Sequence, residues 1–175
     1  MSKTIRVHSW NVNGLRACAK KGFLDWLQAD GGDIVGLQEI RTLHSQLPAE
    51  VAAPEGWHVH LQPAERKGYS GVGLYARLPI DEVQTSLVGT DGDPAVDVEA
   101  HDAEGRLQIA TFGALTIVNG YFPNGSGRNR DHSRVPFKLD FYRRLFDKLQ
   151  PAFARGERIL VMGDWNTAPA AVDLA

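Results

Sequence analysis

The sequence predicts an α/β fold of the α+β kind, with β-sheets packed against helices on their outer faces. Three observations predict it. Short apolar segments bounded by Gly, Pro and Asp recur along the chain, two segments switch to a helical period, and no solenoid repeat, low-complexity tract or Pro/Ser-rich linker separates them. At 175 residues, 43% hydrophobic and 23% charged, the chain suits one globular domain.

Ile5–Trp10 alternates apolar and polar residues and Ile34–Leu37 is a short apolar run, so both are expected as strands. A helix is expected between them, with Phe23, Leu24 and Leu27 as its buried stripe and Gly31-Gly32 as its left-handed stop. The central region predicts short strands at Trp57–Leu61, Val72–Arg77, Val83–Leu87, Val96–His101, Leu107–Phe112 and Leu115–Tyr121. Antiparallel meanders are expected there, with Glu104-Gly105 the clearest turn. From Arg134 to Leu149 the period changes: Phe137, Phe141, Leu145 and Leu149 lie four apart on one helical face, and Pro151 is expected to break or kink that helix. Arg158–Met162 is a last buried strand, leading into Gly163-Asp164-Trp165-Asn166. Residues 168–175 offer no closing element, which would leave that strand at or near an open sheet edge; the domain is expected to continue past Ala175.

Composition excludes disorder, collagen and coiled coil. A net charge of -2 and a pI near 6.3 argue against coating nucleic acid by overall positive charge. Local basic groups remain at Arg16, Lys20 and Lys21, at Arg66 and Lys67, and at Arg128, Arg130 and Arg134, where contact with a phosphate backbone competes with simple solvation. The first residues lack an apolar core of signal-peptide length, and no apolar run is long enough to span a membrane, so a cytoplasmic protein without a membrane partner is expected. Cys18 is the only cysteine and can form neither an internal disulfide nor a thiolate cluster. The histidines show no metal-ligand spacing; His58 and His60 alternate along a strand.

Five segments place polar residues at the ends of apolar strands: Trp10-Asn11-Val12-Asn13, Leu37-Gln38-Glu39, Gly68-Tyr69-Ser70-Gly71, Asn119-Gly120-Tyr121-Phe122-Pro123-Asn124 and Gly163-Asp164-Trp165-Asn166. One such segment is ordinary turn chemistry, and a lone Glu39 would be a surface acid. Together they offer convergent oxygen donors in Asn11, Glu39, Asp164 and Asn166 with no cysteine, which suits Mg²⁺ or Mn²⁺ rather than zinc. Trp165, between two convergent polar side chains, is expected to point away and pack.

In this order, SWNVNGLRA, LQEIRT, KGYSGVGLYAR, NGYFPNG and GDWNTAP closely resemble the signature segments of the exonuclease III family of abasic-site endonucleases. The GDWN segment alone is shared with the wider endonuclease/exonuclease/phosphatase superfamily; its companions specify the DNA-repair branch. The resemblance runs over essentially the whole chain. It implies a four-layer α/β sandwich of two β-sheets flanked by helices, here the N-terminal part of a single domain over residues 1–175 and incomplete at the C-terminus. It further implies Glu39 as the direct ligand of Mg²⁺, Mn²⁺ being an alternative, with Asn11, Asn13, Asp164 and Asn166 around the ion. Asp164 would orient or deprotonate the attacking water, Asn166 would hold the scissile phosphate, and Tyr121 would assist the leaving group. Arg16, Asn13, Arg41, Lys67, Tyr69 and Asn124 would touch DNA.

The family also places an Asp in a late strand and a terminal Asp-His pair that this sequence does not match, so a fragment of a longer enzyme is expected. The implied activity is 3′-to-5′ exonuclease and abasic-site endonuclease on double-stranded DNA, cutting 5′ to the lesion, by a monomer. Two alternatives stay open: a phosphatase or phosphodiesterase of the same superfamily on small phosphorylated substrates, and an inactive chain that binds DNA without cleaving it.

Overall fold

A computed structural model describes residues 4–127, 129, 131–168, 170 and 172. Its first sheet contains β1 (Val7–Asn11), β2 (Ile34–Gln38), β3 (His58–Gln62) and β4 (Val72–Ala76) in the order β1-β2-β4-β3. The second contains β5 (Glu82–Gln84), β6 (Leu107–Phe112), β7 (Leu115–Tyr121) and β8 (Arg158–Asp164) in that order. The helices are α1 (Leu15–Ala19), α2 (Phe23–Asp30), α3 (Ala49–Ala52), α4 (Val98–Ala103) and α5 (Val135–Ala154). The two sheets stack with β1 over β8, β2 over β7 and β4 over β6.

Strand alternation builds the layers. In β2, Val35 and Leu37 turn outward and pack with Leu15, Phe23, Leu27, Trp57 and Tyr75 beneath α1 and α2. Ile34 turns inward and meets Leu74, Ala110, Ile117 and Met162 between the sheets. On the far side Leu107, Ile109 and Val118 pack against Phe141, Leu145 and Leu149 of α5. The four expected apolar residues of α5 therefore split: Phe141, Leu145 and Leu149 enter the core, while Phe137 lies against His101, with ring centroids 4.1 Å apart. Gly36 lets the sheets approach, because a Cβ there would stand 2.4 Å from Met162 Cε and 2.8 Å from Asn119 Oδ1. A buried polar chain also crosses the gap: Gln38 donates to Asn119 Oδ1 at 2.8 Å, and Asn119 donates to Gln108 Oε1 at 3.0 Å and to the Gly73 carbonyl at 3.0 Å.

Several expectations change. The central strands pair antiparallel as expected, β3 with β4, β5 with β6 and β6 with β7, while outside that region β1 runs parallel to β2, and β7 parallel to β8. Both parallel pairs are joined by helical crossovers, which return the chain in the same direction. Two helices, not one, fill the first crossover. Val96–His101 is not a strand. Asp97 caps α4 by accepting from the Glu99 N–H at 3.0 Å, and His101 is buried by the helix so begun. The strand expected at Val83–Leu87 is limited to Glu82–Gln84, since the Leu87 N–H donates to Asp102 Oδ1 instead of a neighbouring strand. Pro151 does not end its helix, which continues to Ala154. It lies in the last turns at an exposed position. Among the described residues β8 lies at one edge of its sheet, with Leu160 exposed. Residues 169, 171 and 173–175 of the expected unstructured end, and Arg128 and Arg130 of the third basic group, lie outside the described residues.

Candidate active site

Parallel pairing sends the C-terminal ends of β1, β2, β7 and β8 to one rim of the sandwich. Asn11 ends β1 opposite Gln38, the last residue of β2, and Tyr121 ends β7 opposite Asp164, the last residue of β8. Glu39 follows β2 directly. Each of these polar residues thus takes its position from a buried strand.

The Asn11 amide nitrogen joins the two sheets, donating to Glu39 Oε2 at 3.0 Å and to Asp164 Oδ2 at 2.8 Å. Asn11 Oδ1 in turn accepts from the Asn13 N–H at 3.0 Å. Asp164 Oδ1 accepts from the Asn166 N–H at 3.0 Å, and the Asn166 side-chain amide donates to the Phe122 carbonyl at 2.9 Å. The Tyr121 hydroxyl faces the Glu39 carboxylate. Burial pushes this phenol up to about 12, helped by the negative charges of Glu39 and Asp164 and opposed by the Arg106 guanidinium. At neutral pH Tyr121 is therefore a hydrogen-bond donor.

Backbone strain is concentrated here. Among the described residues, the non-glycine positions with positive φ are Asn13 (46°), Glu39 (59°), Arg41 (51°), Ser70 (44°) and Asn166 (47°). Glu39 and Arg41 are β-unbranched but bulky, and each such residue costs on the order of 1 kcal/mol or more. Their neighbours hold the loop in place: the Gly14 N–H donates to the Glu39 carbonyl at 2.8 Å, the Ile40 N–H to the Gly71 carbonyl at 3.1 Å, and the Arg41 N–H to the Ser70 carbonyl at 2.9 Å. Strain maintained by surrounding structure is characteristic of functional loops.

The structure thus brings together Asn11, Asn13, Glu39, Tyr121, Asp164 and Asn166. Arg41 joins them by pairing with Glu39. Arg16 is exposed on α1 and, with Lys20 and Arg41, lines an open groove of about 1000 Å³ beside the cluster. Lys67 and Asn124 are exposed, and no hydrogen bond or ion pair ties either of them to the cluster. Tyr69 is half-buried, its hydroxyl accepting from Arg106 Nη2 at 2.9 Å. Trp165 turns away as expected and stacks on Phe122, with ring centroids 4.2 Å apart. The sequence reading missed Arg106 and Glu104. Glu104 was legible only as a turn residue, and a single Arg between that turn and an apolar strand gave no periodic signal.

No group of three or more His, Cys, Asp and Glu side chains is assembled among the described residues. The donor set is instead Glu39 and Asp164 with asparagine oxygens nearby. Such a set fits a hard cation that keeps several waters and takes only one or two protein carboxylates.

The sequence profile of the Endonuclease/Exonuclease/phosphatase family matches residues 8–175. Curated relatives include DNA repair nuclease APEX1 of Danio rerio, 35% identical over 97% of this chain and 51% of its own length. Exodeoxyribonuclease III of Haemophilus influenzae is 33% identical over 95% of this chain and 59% of its own. Among solved structures, a 3′ phosphatase from Neisseria bound to a product DNA hairpin aligns with a TM-score of 0.77 at 24% identity, covering 96% of this chain and 60% of that one. An AP endonuclease from Archaeoglobus fulgidus aligns with a TM-score of 0.73 at 24% identity, over 97% and 59% of the two chains. The chain therefore spans between half and two thirds of the length of these proteins. From its fold, its strand-end cluster and a family profile that covers nearly all of it, the chain belongs to the Endonuclease/Exonuclease/phosphatase family.

Proposed function

We propose that this chain serves a DNA-repair nuclease that hydrolyses phosphodiester bonds of duplex DNA with Mg²⁺, as a 3′-to-5′ exonuclease and an abasic-site endonuclease. The observation that carries this reading is the bridge from Asn11 to both Glu39 and Asp164, which joins carboxylates from two sheets beside a protonated tyrosine. The names of the curated relatives, a repair nuclease and exodeoxyribonucleases, support it.

Glu39 would hold the ion, with Asp164 and Asn166 supplying oxygens around it, and Asn11 would join them by turning its amide oxygen in place of the nitrogen that now bridges the two carboxylates. When bound, Mg²⁺ supplies Lewis acidity and neutralises phosphate charge. Asp164 orients and deprotonates the attacking water. Asn166 keeps one amide hydrogen beyond the one given to Phe122, and that hydrogen is free to hold a phosphate oxygen. Tyr121 donates its hydroxyl proton in a hydrogen bond to the leaving oxygen, where developing charge strengthens it. Arg16, Asn13, Arg41, Lys67, Tyr69 and Asn124 contact the backbone on either side, which fixes register without reading sequence.

A second reading, a phosphatase on phosphorylated ends or small phosphorylated substrates, is favoured by the likeness to the Neisseria 3′ phosphatase. The same donors would serve it. A duplex with a single abasic-site analogue separates the two. Incision by the protein with Mg²⁺, abolished in Glu39→Ala, is the expected result. Binding without incision would leave a non-catalytic DNA-binding chain, and release of phosphate from an inositol phosphate without incision would establish the phosphatase.

A further inference from the structure

Arg106 is a buried arginine, 4% exposed, in a place where a charge needs a reason. It closes the turn that Glu104-Gly105 makes between α4 and β6. Its guanidinium uses every edge. Nε pairs with Glu104, Nη1 donates to the Tyr121 carbonyl at 2.9 Å, and Nη2 donates to the Tyr69 hydroxyl at 2.9 Å. The same group lies over the Tyr121 ring, 4.6 Å from its centroid, and 5.6 Å from that of Tyr69. Arg106 also accepts from the Tyr121 N–H through its own carbonyl at 2.9 Å. Tyr121 is thus gripped at its N–H, its carbonyl and its ring by one residue.

Glu104 anchors this grip. Besides the bond from Arg106, both its carboxylate oxygens accept from Arg134 Nη2, Oε1 at 3.0 Å and Oε2 at 2.9 Å, and Oε1 accepts from the Tyr69 hydroxyl at 3.4 Å. Arg134 precedes α5, Tyr69 lies in the loop before β4, and Glu104 follows α4. Three segments meet at one carboxylate beside the strand ends that carry Asn11, Glu39 and Asp164. The buried Arg144 also satisfies its donors, but on Asp140 and the carbonyls of Thr90, Asp93 and Val96; Arg106 directs its own to Tyr121, Tyr69 and Glu104.

Resting on the nuclease reading, we propose that Arg106, held by Glu104 and braced by the Tyr69 hydroxyl, is the positioning residue that fixes the Tyr121 hydroxyl at Glu39. Lysine cannot replace it, because a point charge with rotatable donors cannot fork between a carbonyl, a hydroxyl and a carboxylate while covering a ring.

The test uses Arg106→Lys, Glu104→Gln, Tyr121→Phe and the double variant Arg106→Lys/Tyr121→Phe, with the abasic-analogue duplex and Mg²⁺. Arg106→Lys and Glu104→Gln should each lower kcat by about 10-fold or more with KM changed much less, as loss of alignment does. In the Tyr121→Phe background Arg106→Lys should cost less than about 2-fold, because both substitutions remove one function. Equal losses in the two backgrounds, or full kcat in Arg106→Lys, would overturn the proposal. A second readout needs no activity: 3-fluorotyrosine NMR of the same proteins. Arg106→Lys and Glu104→Gln should move the Tyr121 and Tyr69 resonances and leave that of the distant, buried Tyr75 in place. Unmoved Tyr121 and Tyr69 resonances would refute positioning even if the wild type failed to incise DNA, which would instead refute the nuclease reading.

Discussion

Asn11 and Asp164 stand 153 residues apart in sequence and 2.8 Å apart in space, joined by one hydrogen bond from the asparagine amide to the carboxylate. The same amide nitrogen serves Glu39. It therefore separates two negative groups on facing sheets and fastens β1 to β8 at the rim of the sandwich. Its removal has a cost that can be measured apart from catalysis. Asn11→Ala should lower stability by about 1–3 kcal/mol, the usual range for part-buried hydrogen bonds to charged groups. Asn11→Asp should cost more, since it adds a third carboxylate, and should recover on addition of Mg²⁺. Urea unfolding with and without Mg²⁺ checks both; equal stability of wild type and Asn11→Asp in EDTA would show that the bridge contributes nothing.

Glu39 is proposed as the ion's ligand, which predicts a linkage effect. Mg²⁺ that binds only the folded chain raises stability by about 2.7 kcal/mol at a hundredfold excess over its dissociation constant. Thermal unfolding across a Mg²⁺ titration should show a rise in wild type that is largely absent in Glu39→Gln. An identical rise in both proteins would move the ion elsewhere.

Gly36 is required by the close approach of the sheets rather than by its own backbone. A Cβ would meet Met162 Cε at 2.4 Å and Asn119 Oδ1 at 2.8 Å. The methionine end is flexible, but Asn119 is fixed by hydrogen bonds to Gln38, Gly73 and Gln108. Gly36→Ala should therefore destabilise by about 1–3 kcal/mol through overpacking. Met162→Ala should relieve only part of that loss when combined with it, as chemical denaturation of the two variants would show.

His101 makes stability depend on pH. Burial holds its imidazole below the usual 6.5; the hydrogen bond and charge of Asp140, with the charge of Glu104, oppose this, and Arg144 adds to it. Because the folded value is the lower one, the unfolded chain takes up the proton first as pH falls. The stability tied to neutral His101 is thus complete above about pH 6.5 and is lost as pH falls through the folded value. His101→Gln keeps a donor to Asp140 without titrating. Its melting temperature should fall less than that of wild type between about pH 7 and 5. The remaining slope should include His60, which burial also lowers. Parallel profiles for the two proteins would remove His101 from the account.

Much of the site was legible in the sequence because its residues sit at strand ends, where apolar patterns stop and polar residues begin. Asn11, Glu39, Tyr121, Asp164 and Asn166 were found that way, and the order of their segments led to the family. The misread segment 96–101 shows the limit of the same method. Its alternating valines matched a strand, yet Asp97 supplied a cap and tertiary burial of His101 favoured a helix.

The sequence by itself determined the sheet-and-helix class, three of the four core positions of α5 and the set of oxygen donors. Only the tertiary structure decided which strands run parallel, because apolar periodicity has no direction. It also decided that Asn11 bridges the sheets, that Glu39 adopts positive φ under the clamp of Gly14, Ser70 and Gly71, and that Arg106 and Glu104 grip the tyrosines. These are contacts between residues far apart in the chain, fixed by how the sheets stack, and local pattern holds no record of them.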